Sequence, residues 1–462
     1  MTGPAASIAR IGAILLGLAL AAVPALAWPA LPPEAVRPLG VLVLAGALWA
    51  SPWRSATPAA ARPWLLGTLA VAAAPLPLQQ EVVTSTALWL VAGGLVIGVA
   101  VKATGLGERL ARGLVSRIGG SYGALIGGIM VVGLVLAFVM PSSMGRVVLL
   151  TPIVLSLAAA LGYRHGTRGY DGLILATGLV CIVPAMAILP ATVPNVVMLG
   201  AAEAQFGETL RFFTFLKAQF PGTGLARAVV IALVVWALYR QRPAREPEAA
   251  RPGPMSRRER RLAVILAAAL GLWATDSLHH ISPAWIAVGA AVLCFLPPNP
   301  ILPLKGLHRK VNVKALIMVA ALVGLGAGVA QSGMAAGLGG WAAETLPLDP
   351  GQPGWLNALV IGGLAMVASV AVTTPGVAAV VTPAAGRLAD ASGLPLDTVL
   401  MAEVMGYATA LLPYQVPPLL VAMSMAGVPF RQGVRASLAV ACASVLVAWP
   451  VTLLWWVWLG LL

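Results

Sequence analysis

Charge is scarce in this chain. Asp, Glu, Lys and Arg make up 10% of its 462 residues, against about 25% in a soluble domain. No hydrophilic stretch is long enough to be a separate soluble domain. That excludes a soluble fold and leaves a polytopic membrane protein. Cysteine is rarer. Cys181, Cys294 and Cys442 stand singly in apolar stretches, which predicts small core residues rather than a disulfide framework or a thiolate metal set. No phosphate-binding loop, nucleophile elbow or HExxH motif occurs, so nothing points to ATP hydrolysis or to an enzyme. No cofactor is called for, and energy must come from gradients or exchange.

What is present is a strongly apolar, Arg-rich chain, 60% hydrophobic with a net charge of +14. Such a balance in a soluble chain would suggest nucleic acid. Here the cations sit in short loops, which is the positive-inside pattern and an attraction to anionic lipid. A span needs about 20 apolar residues. Candidate spans are 9–31, 36–51, 63–80, 86–104, 171–199, 211–238, 261–277, 282–297, 312–331, 397–425 and 433–460. The first follows Arg10 and ends in Pro24-Ala25-Leu26-Ala27, like a signal peptide; it is read as an uncleaved span.

Two further apolar regions, 120–162 and 354–389, are too long for one helix, and each is broken near its middle, at Ser142 to Gly145 and at Thr373 to Gly376. Each reads as a re-entrant hairpin with a polar tip. With the first hairpin entering from the cytoplasm and the second from outside, most cationic loops fall on one face. They include Arg54 and Arg62, Arg164 and Arg168, Lys305 to Lys314, and the Arg-rich run 239–261. Arg37, Arg211, Lys217 and Arg387 fall on the other. The expectation is an inner-membrane protein of a GC-rich bacterium, N-terminus cytoplasmic and C-terminus periplasmic.

The two halves echo one another. Leu189-Pro190-Ala191-Thr192-Val193-Pro194-Asn195 recurs as Leu412-Pro413-Tyr414-Gln415-Val416-Pro417-Pro418, and each copy follows its own hairpin. Repeated broken helices point to a transport site between inverted repeats. The division expected is 1–85 as scaffold helices, 86–240 as the first repeat and 241–260 as a cytoplasmic linker. Scaffold helices follow at 261–311, and the second repeat occupies 312–462. Residues 105–115 read as a basic amphipathic segment on the cytoplasmic interface. Trp455, Trp456 and Trp458 suit an aromatic belt.

The candidate site is built from the breaks. Ser142, Ser143, Thr373 and Thr374 supply hydroxyls at the tips, and Thr192, Asn195 and Gln415 supply polar groups at the broken helices. The bland alternative is that Ser and Thr bond only to their own helix backbones. Helix N-termini favour anions and freed carbonyls favour cations. Arg146 lies just past the first tip in an apolar run. It is expected to pair with an anionic substrate or to stand in for a coupling cation, snorkelling being the alternative. Arg227 is expected to snorkel, and Glu403 to sit near the outer interface rather than to carry protons. Asp276, His279 and His280 read as a solvated loop, not a metal site.

These residues resemble the divalent anion/sodium symporter family. The likeness runs through Trp89 to Gly94, Leu272 to Ala284, and Thr192-Val193-Pro194-Asn195, similar to the family's Thr-Pro-Pro-Asn break. The resemblance implies an all-α fold of about eleven spans with two opposed hairpins, a homodimer and elevator-type movement. It implies a carboxylate or sulfate substrate and sodium held near Ser142, Gly145, Thr373 and Gly376. The family's Ser-Asn-Thr tips read Ser142-Ser143-Met144 and Thr373-Thr374-Pro375 here, and the second Pro-Asn has become Pro417-Pro418. The departure suggests a fixed charge at Arg146 and transport without sodium. A cation/proton antiporter and a non-transporting membrane receptor are the other readings.

Overall fold

The computed structural model describes residues 84–107, 109, 121–243, 254–297, 300–305, 307–311, 313, 316, 319–320, 334–371 and 373–462. The spans expected at 9–31, 36–51 and 63–80, most of 312–331 and most of the amphipathic segment lie outside them. Among the described residues every regular element is helical. Six helical stretches are long and apolar enough to cross a membrane: Thr86–Thr104, Tyr122–Val139, Ser143–Ala160, Arg168–Ala187, Phe212–Tyr239 and Phe430–Trp458.

Both long apolar regions fold as helical hairpins. In the first, Ser121 caps Tyr122–Val139 and Ser142 caps Ser143–Ala160, with the turn at Met140 and Pro141. Each arm has 18 residues and is long enough to cross by itself. The second hairpin is less regular. Its leading arm, Gly354–Ala371, also has 18 residues, but its trailing arm is interrupted after Thr374–Val381 by a tight 3-10 turn at Thr382–Ala384. Pro383 cannot donate the backbone bond a continuous helix needs.

The two long candidate spans are broken where the sequence places Pro and Gly. Arg168–Val180 ends in 3-10 turns, and the chain resumes at Val193–Phe206. Leu396–Tyr407 ends likewise and resumes at Pro417–Ala426. Both resumed halves stop at a left-handed glycine. Gly207 and Gly427, at φ 68° and 67°, bond back to Glu203 and Met423, the conformation a Cβ disfavours.

The repeats are interleaved. Val193–Phe206 of the first packs on Thr374–Val381 of the second, and Pro417–Ala426 of the second packs on Ser143–Ala160 of the first. Small residues allow close approach. A Cβ on Gly406 would lie 2.2 Å from the Gly362 carbonyl oxygen, so Leu396–Tyr407 touches the second hairpin backbone to backbone. The last helix of each repeat carries a π-helical stretch in its middle, at Phe220–Ala226 and at Ser444–Ala448.

Several boundaries and placements differ from expectation. The helix read from 261 begins at Arg257, because Ser256 and Glu259 form a capping box. Trp456 is wholly buried, donating to the Ala218 carbonyl at 2.9 Å, so it is no belt residue; Trp458 is 72% exposed. Cys442 is exposed, whereas Cys181 and Cys294 are buried.

Candidate functional site

The first break is organised by one side chain. Arg146 stands one turn past the tip and is 0% exposed. Its Nε and Nη2 donate to the Cys181 carbonyl at 3.2 and 2.7 Å, Nη2 also reaches the Ala191 carbonyl at 3.0 Å, and Nη1 donates to the Met140 carbonyl. A guanidinium has five N–H donors, and four are spent here on three carbonyls. Cys181 ends the first half of the broken helix, Ala191 precedes its second half, and Met140 belongs to the hairpin tip. The cation therefore sits at the negative end of a half-helix, where positive charge is favoured. Among the described residues no carboxylate lies within ion-pair distance of it. The side chain is enclosed rather than snorkelling, and its donors are directed at backbone carbonyls.

Around it, Ser142 accepts from the Gly145 amide at 3.1 Å, so it caps its own helix. Its backbone carbonyl is taken by the Arg146 amide at 2.9 Å. Ser143 is buried. Thr192 precedes Val193–Phe206 without capping it, and its buried hydroxyl has no partner. An uncapped helix start with a free hydroxyl beside it is suited to an anion. Asn195 is tied down: its amide donates to the Met186 and Ile188 carbonyls at 2.8 and 3.3 Å, and its carbonyl accepts from Tyr407 Oη at 3.1 Å.

The second tip is joined to its break by neutral groups. Thr374 Oγ1 donates to the Gln415 carbonyl at 3.2 Å. Gln415 donates to Ser369 Oγ and accepts from the Leu412 amide at 2.6 Å. Tip and break are thus joined by hydroxyls and an amide, with no charge. Thr373 starts its helix without capping it, and its carbonyl accepts from the Gly376 amide at 2.8 Å. The Ser142 and Thr373 carbonyls are thereby engaged in their own first turns.

Two expectations are overturned. Arg227 does not snorkel. It is 0% exposed and donates to the Met405 carbonyl at 2.6 Å and to Thr409 Oγ1 at 2.9 Å, while its Nε and Nη1 are unpartnered. Glu403 is enclosed by protein rather than exposed at an interface. It is 0% exposed, with Oε2 accepting from Thr382 Oγ1 at 2.7 Å and Oε1 unpartnered. Arg227 is covered by partners from the other half of the chain, and Glu403 by Thr382 of the hairpin that precedes its helix. His279 bonds locally, to the Leu272 carbonyl and the Ile281 amide.

Reading the sequence missed Cys181, Ala191, Ser369, Thr382 and Tyr407 as partners. Only the backbone of the first two is used, which no residue identity reveals. Tyr407 was the findable one, a phenol one turn beyond the acid Glu403 on an apolar helix.

Comparison with known proteins places the chain. A family described as "Citrate transporter" matches residues 11–406. A Cupriavidus necator protein named only as a membrane protein is 27% identical over 252 residues, 53% of this chain and 49% of that one. The sodium-dependent dicarboxylate transporter SdcS of Staphylococcus saprophyticus is 23% identical over 440 residues, 84% of this chain and 80% of that one. The L-tartrate/succinate antiporter of Escherichia coli is 25% identical over 230 residues, 46% of each chain. The match thus spans about half the length of the first and third relatives. Among solved structures, the YdaH transporter of Alcanivorax borkumensis shares the fold at TM-score 0.58 and 14% identity, over 93% of this chain and 99% of that one. MtrF of Neisseria gonorrhoeae, also at 14%, does so at 0.51 over 90% and 95%.

Proposed function

The chain belongs to the citrate transporter family, and from that premise we propose a secondary carrier of a small di- or tricarboxylate or sulfate that runs without sodium. The observation that carries the second clause is Arg146. A buried charge without a counter-charge is retained only at high cost, of order several kcal/mol, so its place on three break carbonyls asks for a purpose. It supplies, permanently, the positive charge that would otherwise arrive as an ion. The anion then needs only helix starts and hydroxyls, and Thr192, Thr373 and Thr374 are the groups best placed to offer them.

The two hairpins and the two broken helices are the unit that moves, in elevator fashion, against the remaining helices. The carrier works in the bacterial inner membrane, N-terminus inside, as a homodimer. Its relatives include both a sodium-dependent transporter and an antiporter, so the names of its relatives do not require sodium coupling here. Thermal unfolding of the purified chain with succinate, citrate or sulfate tests the reading, since a ligand of the folded state raises stability by mass action. Stabilisation by one of these anions, undiminished when sodium is replaced by potassium, is expected. Stabilisation only in sodium contradicts the fixed-charge reading, and none with any anion contradicts the substrate class.

A further inference from the structure

The second break contains a carboxyl that the anion-carrier reading does not use. Glu403 lies two turns into Leu396–Tyr407 and is completely enclosed. Thr382, which meets its Oε2 at 2.7 Å, sits on the 3-10 turn that interrupts the second hairpin. The bond therefore joins the hairpin to the broken helix. Oε1 meets nothing.

Among the described residues no cation pairs with Glu403. The leading arm Gly354–Ala371 and the segment Thr374–Val381 carry no titratable side chain. Ala385–Ser392 carries Arg387 and Asp390, both exposed, and Phe212–Gln219 carries Lys217, also exposed. On its own helix Asp397 is exposed in the first turn. Tyr407, one turn on, spends its hydroxyl on Asn195. Arg227 reaches this helix at the Met405 carbonyl and does not pair with Glu403. An ionised carboxylate enclosed without a paired cation is very costly, so enclosure calls for a proton on this carboxyl.

We propose that Glu403 is the proton-binding site of the carrier. Its carboxylate takes one proton from water when its side of the hairpin opens, holds it through the enclosed state, and releases it to water on the other side. Proton and anion travel together, because an ionised Glu403 would repel the anion while the neutral form does not. Neither comparison nor sequence motif assigns this site, and the inference rests on the carrier reading for its direction.

The test has two parts. Infrared difference spectroscopy of the full chain in lipid nanodiscs follows the carbonyl stretch of neutral carboxyls as pH is raised. A titrating band present in wild type and in Asp397→Asn but absent in Glu403→Gln is expected. No band lost in Glu403→Gln overturns the proposal, whatever the substrate. In proteoliposomes with the membrane potential clamped at zero, succinate accumulation should rise about tenfold per unit of inward pH gradient for one coupled proton. Glu403→Gln should lose that accumulation while unfolding at the wild-type temperature, and Glu403→Asp should recover part of it. Gradient-driven accumulation that persists in Glu403→Gln also overturns the proposal. If wild type moves no succinate, citrate or sulfate under any gradient, the anion reading fails, and the infrared band still decides Glu403.

Discussion

The two breaks share a backbone plan and differ in chemistry. In the first, one guanidinium gathers the Met140, Cys181 and Ala191 carbonyls. In the second, Thr374, Gln415 and Ser369 join tip to break with neutral hydrogen bonds. There the buried Arg227 grips the end of the half-helix at the Met405 carbonyl and Thr409, and the enclosed acid Glu403 lies one turn back. The two halves agree on where helices stop, because stopping is a property of Pro, Gly and the backbone. They differ in what fills the gap. At the first break one guanidinium ties the half-helix end to the hairpin tip, whereas at the second the tip is joined through neutral groups and the buried guanidinium stays on the half-helix end.

The largest expected effect that tests this contrast is at Arg146. Arg146→Met leaves three buried carbonyls without their shared donor, and losses of about 3–5 kcal/mol accompany the breaking of such buried charged contacts. A markedly lower unfolding temperature in detergent, with transport abolished, is the expected outcome. Arg227→Met provides the contrast. Thr409 already donates to the same Met405 carbonyl at 3.0 Å, and Trp449 to Thr409 at 3.0 Å. Removing Arg227 therefore orphans no acceptor, and its two unpartnered nitrogens disappear with it. Stability within about 1 kcal/mol of wild type is expected, since apolar replacement of a buried charge is often neutral or better. A loss as large as that of Arg146→Met would erase the distinction drawn between the two arginines.

The neutral clamp should be intermediate. Thr374→Val removes one buried hydrogen bond to the Gln415 carbonyl, worth about 1–2 kcal/mol, and denaturant unfolding would read it. The smallest effect lies away from both breaks. Arg109 and the Ser256 amide hold the Glu259 carboxyl down at about 2. Because the folded group ionises more readily than the unfolded one, its contribution is complete above the ordinary carboxylate range. It fades as pH falls from there towards about 2. The small stability gap between wild type and Arg109→Ala should close over that window.

How far the sequence led follows the same division. The breaks expected at 189–195 and 412–418 and both hairpin tips were legible, because Pro and Gly state backbone limits locally, but both breaks open earlier, at Cys181 and Ala408. The resident cation was legible as a candidate, because Arg146 is conspicuous in an apolar run. Its role was not, since its partners are main-chain oxygens. Arg227 and Glu403 were misread for a related reason. Helical position suggested an interface, while burial is decided by packing: Arg227 is covered by Leu396–Tyr407 of the other repeat, and Glu403 by Thr382 across the hairpin. The π-helical stretches left no mark that periodicity could reveal.

The central claim is that Arg146 does permanently what a sodium ion would do transiently. Uptake of radiolabelled succinate, citrate and sulfate into proteoliposomes, with and without an inward sodium gradient, tests it most directly when wild type is run beside Arg146→Ala. The account predicts uptake or exchange indifferent to sodium in wild type and abolished in Arg146→Ala. Strong sodium stimulation in wild type that survives in Arg146→Ala would contradict it.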